Sequence, residues 1–433
     1  MLYPPRERVE SMNSRIPGFY KLPREERLRI VAELAGLTDD EVKILNSYGG
    51  VDPEVMEVMV ENVVGAMPYP LSIAVNFRIN GRDYLIPMVI EESSVVAAAS
   101  NAARLMRHGD GIISVATESI MIGQIQVIGV KDPYAARLRI LENREGILKV
   151  ANRQSKTLSK LGGGAKDIEV RIINSRVGVM LVTHLYVDVI DAMGANAVNT
   201  MCEAVAPIIE ELTGGKAVLR ILSNLADKRL VRARAYIDKD DVGGEEVVDR
   251  IVAASAFAEA DPYRAATHNK GILNGVIAVA LATGQDHRAI EAGAHSYAAR
   301  GGRYTSLSRW EKTGDGDLVG TLEMPMPVGI LGGAVKVHPT AKIALKILGV
   351  ETARELAEVM GAVGLAQNFA AIKALATEGI QRGHMKLHAR NLALMAGAEG
   401  DLIDLIAEEM IREGNVRYSR AVELLKRWKR GTD

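Results

Sequence analysis

The chain has 433 residues, 48% of them apolar and 25% charged, which are globular values and exclude wholesale disorder. Its 53 Lys and Arg nearly cancel 54 Asp and Glu, so no general attraction to nucleic acid or to an anionic membrane surface is expected. A single cysteine excludes an internal disulfide framework and any multi-cysteine zinc site, and it fits a reducing, cytoplasmic compartment.

The length suggests two or three domains. The first residues are polar and charged and lack the apolar run of a signal peptide. Uncharged apolar stretches such as residues 324–335 fall short of the roughly 20 residues that span a bilayer, so no membrane association is expected.

In chain order, Pro23 opens a helix carrying Leu28, Val31, Leu34 and Leu37 at helical spacing. Asp39, Asp40 and Glu41 mark another helix start. Residues 53–67 read as a third helix. Residues 71–90 alternate as two strands around Asn80-Gly81, and 94–106 is an Ala-rich helix. Residues 122–130 are strand-like, 134–161 are a long charged helical stretch, and 168–173 with 177–189 form a hairpin. A helix over 192–213 and a strand over 218–223 complete a compact α/β unit with an antiparallel sheet, bounded near 119 and 224. From 245 onward the chain reads as helices and glycine-rich loops, with three helices between 339 and 376. Residues 378–433 read as two or three further helices, with a hinge or loop at Arg382-Gly383-His384.

Neither glycine cluster has the context of a dinucleotide fingerprint. Gly162, Gly163 and Gly164 follow a helix instead of opening one after a strand. Gly329-Ile-Leu-Gly332-Gly333 lacks the Gly-x-Gly-x-x-Gly spacing. His384 and His388 share a helical face, but no Glu follows His384 as in a metalloprotease. The plainer reading is a capping or core histidine, and no metal is expected.

The acids and bases say more. Glu91-Glu92 ends a strand-like run ahead of the helix at Ser94. A carboxyl at such a junction can be partly desolvated, which raises its pKa and suits it to act as an acid near neutrality. Thr267-His-Asn-Lys270-Gly is rich in donors among apolar helices, and Asp286 follows in a loop. Alone, each acid reads more readily as a surface charge or helix cap.

Taken together, these segments resemble the 3-hydroxy-3-methylglutaryl-CoA (HMG-CoA) reductase family. Glu61-Asn-Val-Val-Gly65 resembles its substrate-loop signature. Glu92-Ser-Ser-Val-Val-Ala matches its catalytic glutamate segment, and Asp191-Ala-Met-Gly-Ala-Asn196 its nucleotide motif. Asp261-Pro-Tyr-Arg-Ala-Ala-Thr-His-Asn-Lys270-Gly matches the catalytic lysine segment. Gly329 to Gly333 and Gln381-Arg-Gly-His384-Met complete the set in family order. The lysine in His-Asn-Lys-Gly points to the soluble class II form, as class I members use an Asp-Lys-Lys context.

The resemblance implies four-electron reduction of HMG-CoA to mevalonate and CoA, with two NADPH or NADH per turnover and no metal. Lys270 would stabilise the thioester oxyanion, His384 would protonate the departing CoA thiolate, and Glu92 would supply the proton to the aldehyde oxygen. Asp286 would hydrogen-bond the lysine and couple it to the glutamate. Arg264 and Asn274 would hold the substrate carboxylate and hydroxyl. Ser94, Asn224 and Gln367 are further substrate positions, and Ser94 reads as a helix cap as well. Asp191, Met193, Gly194, Ala195 and Asn196 would contact the cofactor.

Two positions depart from the family pattern. Ser93 stands where class II relatives usually have proline. Ser155 stands where NADH-preferring relatives have an aspartate, with Arg153 and Lys156 beside it. Without an acid to repel a 2′-phosphate, NADPH should be accepted, alone or alongside NADH.

The implied architecture is α+β. A large, helix-rich substrate domain (1–118 and 225–377) is interrupted by a small, ferredoxin-like, non-Rossmann nucleotide domain (119–224), and a helical flap (378–433) follows. The resemblance also implies a homodimer or higher homo-oligomer with sites at the subunit interface. The same residues would serve the reverse reaction, oxidation of mevalonate for catabolism. A catalytically silent CoA-binding protein is the reading from another class.

Overall fold

The computed structural model describes residues 12–48, 51–377 and 379–430, and within these not the side chains of 334, 336, 380–387, 429 and 430. Strands β1 (Leu71–Ile79) and β2 (Arg82–Val89) form the expected antiparallel hairpin. Its turn residues, Asn80 and Gly81, have φ of 50° and 77°, the paired left-handed conformation that makes Asn-Gly a strong hairpin signal.

The remaining strands are β3 (Ile113–Ala116), β4 (Ile120–Ile128), β5 (Gly164–Ser175), β6 (Gly178–Asp188), β7 (Lys216–Ser223), β8 (Leu230–Ile237), β9 (Ser308–Lys312) and β10 (Leu318–Pro325). They build two separate antiparallel sheets, ordered β5-β6-β4-β7 and β3-β8-β10-β9.

The first sheet carries helices on one face. Ala136, Ile140, Ile147 and Ala151 from the helices Pro133–Glu142 and Arg144–Arg153, and Val198, Met201 and Val205 from Ala195–Thr213, bury Met121, Ile125, Val170, Leu185 and Val187. The order of elements, strand–helices–strand–strand–helix–strand, is the split βαβ, ferredoxin-like arrangement. Its strands are antiparallel, which explains the missing Rossmann fingerprint. The single helical stretch expected over 134–161 is three helices, broken at Asn143 and Ser155.

The second sheet and the β1–β2 hairpin share another core with the helices Val95–Leu105, Pro262–Ala282 and Ala353–Ala376. Strands β3, β8, β9 and β10 are not expected from the sequence. The helix Ala353–Ala376 is long and apolar enough to cross a membrane by length and composition. Its residues Leu356, Met360, Val363 and Phe369 are buried in this core. A third cluster packs Phe19 and Val31 against Leu85, Ile343 and Ile347.

Three expectations change. The helix at 53 stops at Met59, because Val60 is extended at φ -156° and ψ 153°. The range 339–376 holds two helices, Pro339–Leu348 and Ala353–Ala376. Residues 382–384 are helical backbone within Ile380–Met395, so the break in the chain lies earlier, at Thr377 (ψ -89°) and Gly379 (φ 79°). That helix forms its own cluster with Leu402–Arg412 and Tyr418–Arg430, through Ala389, Leu392, Ile406, Met410 and Leu424.

The chain enters and leaves the first sheet at adjacent points. Thr117 N donates to the Leu230 carbonyl and Leu230 N donates to Thr117 Oγ1, both at 2.9 Å.

Candidate functional site

Helix Pro262–Ala282 is the centre of the site. At about 100° per residue, its buried positions, among them Ala265, His268, Asn269, Ile272, Leu273 and Val276, occupy one side. Arg264, Lys270 and Asn274 fall on the other. The helix starts cleanly because Asp261 caps it, accepting from Arg264 N at 2.7 Å, and Pro262 takes the first position.

Two polar residues on the buried side anchor this helix. His268 Nε2 lies 2.7 Å from Ser308 Oγ and 3.1 Å from Asn368 Nδ2, and Asn368 Oδ1 also accepts from Trp310 Nε1 at 2.7 Å. Burial, reinforced by Arg264, pushes the His268 pKa down to about 4, so it is neutral at physiological pH. Asn269 Nδ2 donates to the Tyr304 hydroxyl and the Thr305 carbonyl, while its Oδ1 accepts from Leu307 N at 3.0 Å. The sequence marks the donor-rich run but assigns neither residue a part. Their signal is two adjacent amide and imidazole side chains next to buried apolar positions.

On the open side, Lys270 Nζ donates to Glu92 Oε2 at 2.9 Å. The side chains are 60% and 40% exposed, so the desolvation expected of Glu92 is not supplied within one chain. Ser94, two residues on, adopts φ 74° without being glycine, a strained conformation found at binding and catalytic sites. Among the described residues its hydroxyl forms no cap hydrogen bond, contrary to the cap reading, and its buried Oγ has no partner. Gln367 Oε1 is likewise buried and unpartnered. Gln367 packs on the same helix, where a Cβ added at Gly275 would come within 2.9 Å of its Cβ. An unsatisfied buried hydroxyl two residues from a member of an exposed ion pair suits a polar ligand. Burial also holds the Arg264 guanidinium below its usual pKa. Asn224 is exposed just after β7.

Asp286, a predicted catalytic residue, is not joined to this pair among the described residues. Asp286 caps the helix His287–Ala298, accepting from Ala289 N at 3.1 Å, and pairs with Arg288 at 3.3 Å. Among the described residues it forms no hydrogen bond with Lys270, because its carboxylate is turned to its own helix. His384 lies on Ile380–Met395, and its side chain is outside the described residues.

The predicted nucleotide residues gather at one end of the first sheet. Gly194, at φ 95°, opens the helix Ala195–Thr213, with no side-chain cap hydrogen bond among the described residues. Such an end attracts anionic groups. Asn196 is exposed there. Gly163 packs against Ile190 and the Asp188 carbonyl, which brings the 152–165 segment to the same end. In that segment Ser155 Oγ accepts from Leu158 N at 3.3 Å, and Arg153 and Lys156 are exposed cations. A helix start with no side-chain cap among the described residues, together with the exposed cations of the 153–156 segment, fits a nucleotide diphosphate. Asp191 is committed elsewhere: its Oδ1 accepts from Ala353 N at 2.8 Å.

The hydroxymethylglutaryl-coenzyme A reductase family model matches residues 23–389. The chain belongs to that family. A 3-hydroxy-3-methylglutaryl-coenzyme A reductase of Archaeoglobus fulgidus is 61% identical over 417 residues, covering 96% of this chain and 95% of that one. A probable reductase of the same name from Borreliella burgdorferi is 34% identical over 371 residues, covering 84% of each chain. Among solved structures, the class II reductase of Streptococcus pneumoniae bound to NADPH in open conformations superposes with a TM-score of 0.80 at 40% identity, over 94% of this chain and 100% of that one. A second structure from that organism gives 0.82 over 95% of this chain. These matches establish an HMG-CoA reductase enzyme of mixed α/β fold and class II type.

Proposed function

We propose that the protein reduces HMG-CoA to mevalonate and CoA, with the open face of Pro262–Ala282 as the reacting surface. The observation that carries this is the Lys270–Glu92 pair, with the Ser94 Oγ two residues along the chain from Glu92 buried and without a partner among the described residues. NADPH or NADH, bound at Gly194–Asn196 and the 153–156 segment, supplies the hydrides. The Lys270 ammonium stabilises the negative charge that develops on the thioester oxygen. Glu92 delivers a proton to the aldehyde oxygen at the second reduction, and Lys270 holds it in place. Arg264 binds the substrate carboxylate bidentately and Asn274 its hydroxyl. His384 protonates the CoA thiolate once residues 378–433 close over the site as a flap.

Closure and a second subunit would also remove water from Glu92, which one chain leaves exposed. Exposed Val58, Val60, Val64 and Met67, with Val218, Leu219 and Ile221 on the edge strand β7, support assembly into a homodimer or larger oligomer. The unit 119–224 is the nucleotide domain, and 1–118 with 225–377 the substrate domain, of a cytoplasmic enzyme. An S. pneumoniae relative bound to NADPH and the serine at 155 support NADPH use.

The test is oxidation of NAD(P)H on addition of HMG-CoA, followed by absorbance. Release of CoA with two NAD(P)H consumed per thioester is expected. Protein that binds CoA but oxidises no cofactor overturns the proposal in favour of a silent CoA-binding protein.

A further inference from the structure

The segment 191–194 is gripped from its inner side by contacts that a ligand role does not explain. Arg229, just ahead of β8, is 4% exposed. Its Nη1 donates to the carbonyls of Ala192 and Met193 at 3.1 and 3.3 Å, and its Nη2 donates to the carbonyl of Val328. Burial lowers its pKa to about 10, with Asp188 and Asp191 opposing the shift through space. It therefore remains a cation at neutral pH, tied to three carbonyls and to no carboxylate directly. Burying a cation this way is costly, and three fixed carbonyls are what a planar guanidinium fork can satisfy.

Asp191 fastens the other side. Its Oδ1 accepts from Ala353 N, and its carbonyl accepts from Ile330 N and Leu331 N at 2.9 and 3.3 Å. The contact is close: a Cβ at Gly329 would lie 2.5 Å from Met193 N and 2.8 Å from the Ala192 carbonyl carbon. The first turns of Ala353–Ala376 also hold the entry strand, because Arg354 Nη2 donates to the Ala116 carbonyl and Glu358 Oε1 accepts from Ala116 N. The segment is thus tied to the element that carries Gln367.

We propose that Arg229 and Asp191 are positioning residues for the nicotinamide nucleotide. They lock residues 191–193 onto the substrate-binding core, so that Gly194 and the start of Ala195–Thr213 meet the cofactor at a set distance from Lys270. The inference rests on the nucleotide reading of this segment and reassigns Asp191 from a cofactor contact to a support.

The test is NADPH affinity by fluorescence titration, with KM for NADPH, KM for HMG-CoA and Tm taken on the same oligomeric preparations. Arg229→Lys supplies a charge but cannot span three carbonyls. It is expected to weaken NADPH binding roughly tenfold or more, as displaced binding groups do, and to leave KM for HMG-CoA unchanged. Gly329→Ala acts by displacement alone and is expected to do the same. Asp191→Asn still accepts from Ala353 N, since Asn caps as well as Asp, and should bind NADPH within about threefold of wild type.

Folded Arg229→Lys and Gly329→Ala proteins with wild-type NADPH affinity overturn the proposal. So do equal losses for NADPH and HMG-CoA, or unfolding of both variants, which mark a purely structural role. If Arg229→Lys alone fails to fold, Gly329→Ala decides. A loss in Asp191→Asn as large as that in Arg229→Lys makes Asp191 a direct ligand and removes its part. Wild-type protein that binds no NADPH overturns the nucleotide reading itself, and this inference with it.

Discussion

Lys270 Nζ and Glu92 Oε2 meet at 2.9 Å across 178 residues of sequence, joining an open helix face to the end of a hairpin. An exposed ion pair of this kind contributes under about 1 kcal/mol to stability, so its cost in folding terms is small and its chemistry can be tested directly. Lys270→Ala should leave Tm nearly unchanged and cut thioester reduction by about 100- to 1000-fold, as loss of an oxyanion donor does. Glu92→Gln should also keep Tm while abolishing most mevaldehyde reduction. A large fall in Tm with either substitution, or retained activity, contradicts the catalytic roles of the pair.

The proposed NADPH use rests on Ser155, whose Oγ accepts from Leu158 N. Aspartate can make the same cap, so Ser155→Asp should preserve the local fold. Its charge would repel a 2′-phosphate and favour ribose hydroxyls. The ratio of kcat/KM for NADPH to that for NADH should fall by about tenfold or more, the equivalent of roughly 1.4 kcal/mol. A strong NADH preference in the unaltered protein would sink the NADPH reading.

His384→Gln should separate the half-reactions. Only thioester reduction releases a thiolate that needs a proton, so mevaldehyde reduction should be spared the more. Equal losses in the two assays would rule out the thiolate-acid role.

His268 makes stability depend on pH. Its folded pKa, near 4, lies below its ordinary 6.5, so the unfolded chain takes up a proton between these values and the folded chain does not. Stability is full above about pH 6.5 and falls as pH drops toward 4, by up to about 2 kcal/mol at pH 5. Denaturant unfolding at pH 7 and pH 5 should show this loss, and His268→Asn should remove that part of the slope. An unchanged slope in the variant would assign the effect to other groups.

Legibility in the sequence followed how local each signal was. Asn80-Gly81 announces its hairpin because the turn alone demands left-handed residues. Strand β8 went unread because its central buried positions are Ala233 and Ala235, alternating with Arg232 and Arg234. Alanine and arginine favour helices when isolated, and only the flanking strands β3 and β10 make the segment extended. Residues 53–67 show the reverse error: their apolar spacing is helical, but Val58, Val60, Val64 and Met67 are exposed and nothing holds the helix past Met59.

In the site, Glu92 and Lys270 stood out as an acid at a strand end and a cation in a donor-rich run, whereas Arg264 and Asn274 came only from the family resemblance. The burial of Arg229 was not legible. A guanidinium between two strands reads as a surface charge until the loops at 192 and 328 close over it.

The reciprocal hydrogen bonds between Thr117 and Leu230 bear on how such a protein could be rebuilt. The entropy of closing a loop rises only slowly with its length, and the two ends are already zipped into one ladder by β3 and β8. Residues 119–224 could therefore be exchanged for another unit with closely spaced termini, or replaced by a tight turn, without re-registering the strands on either side.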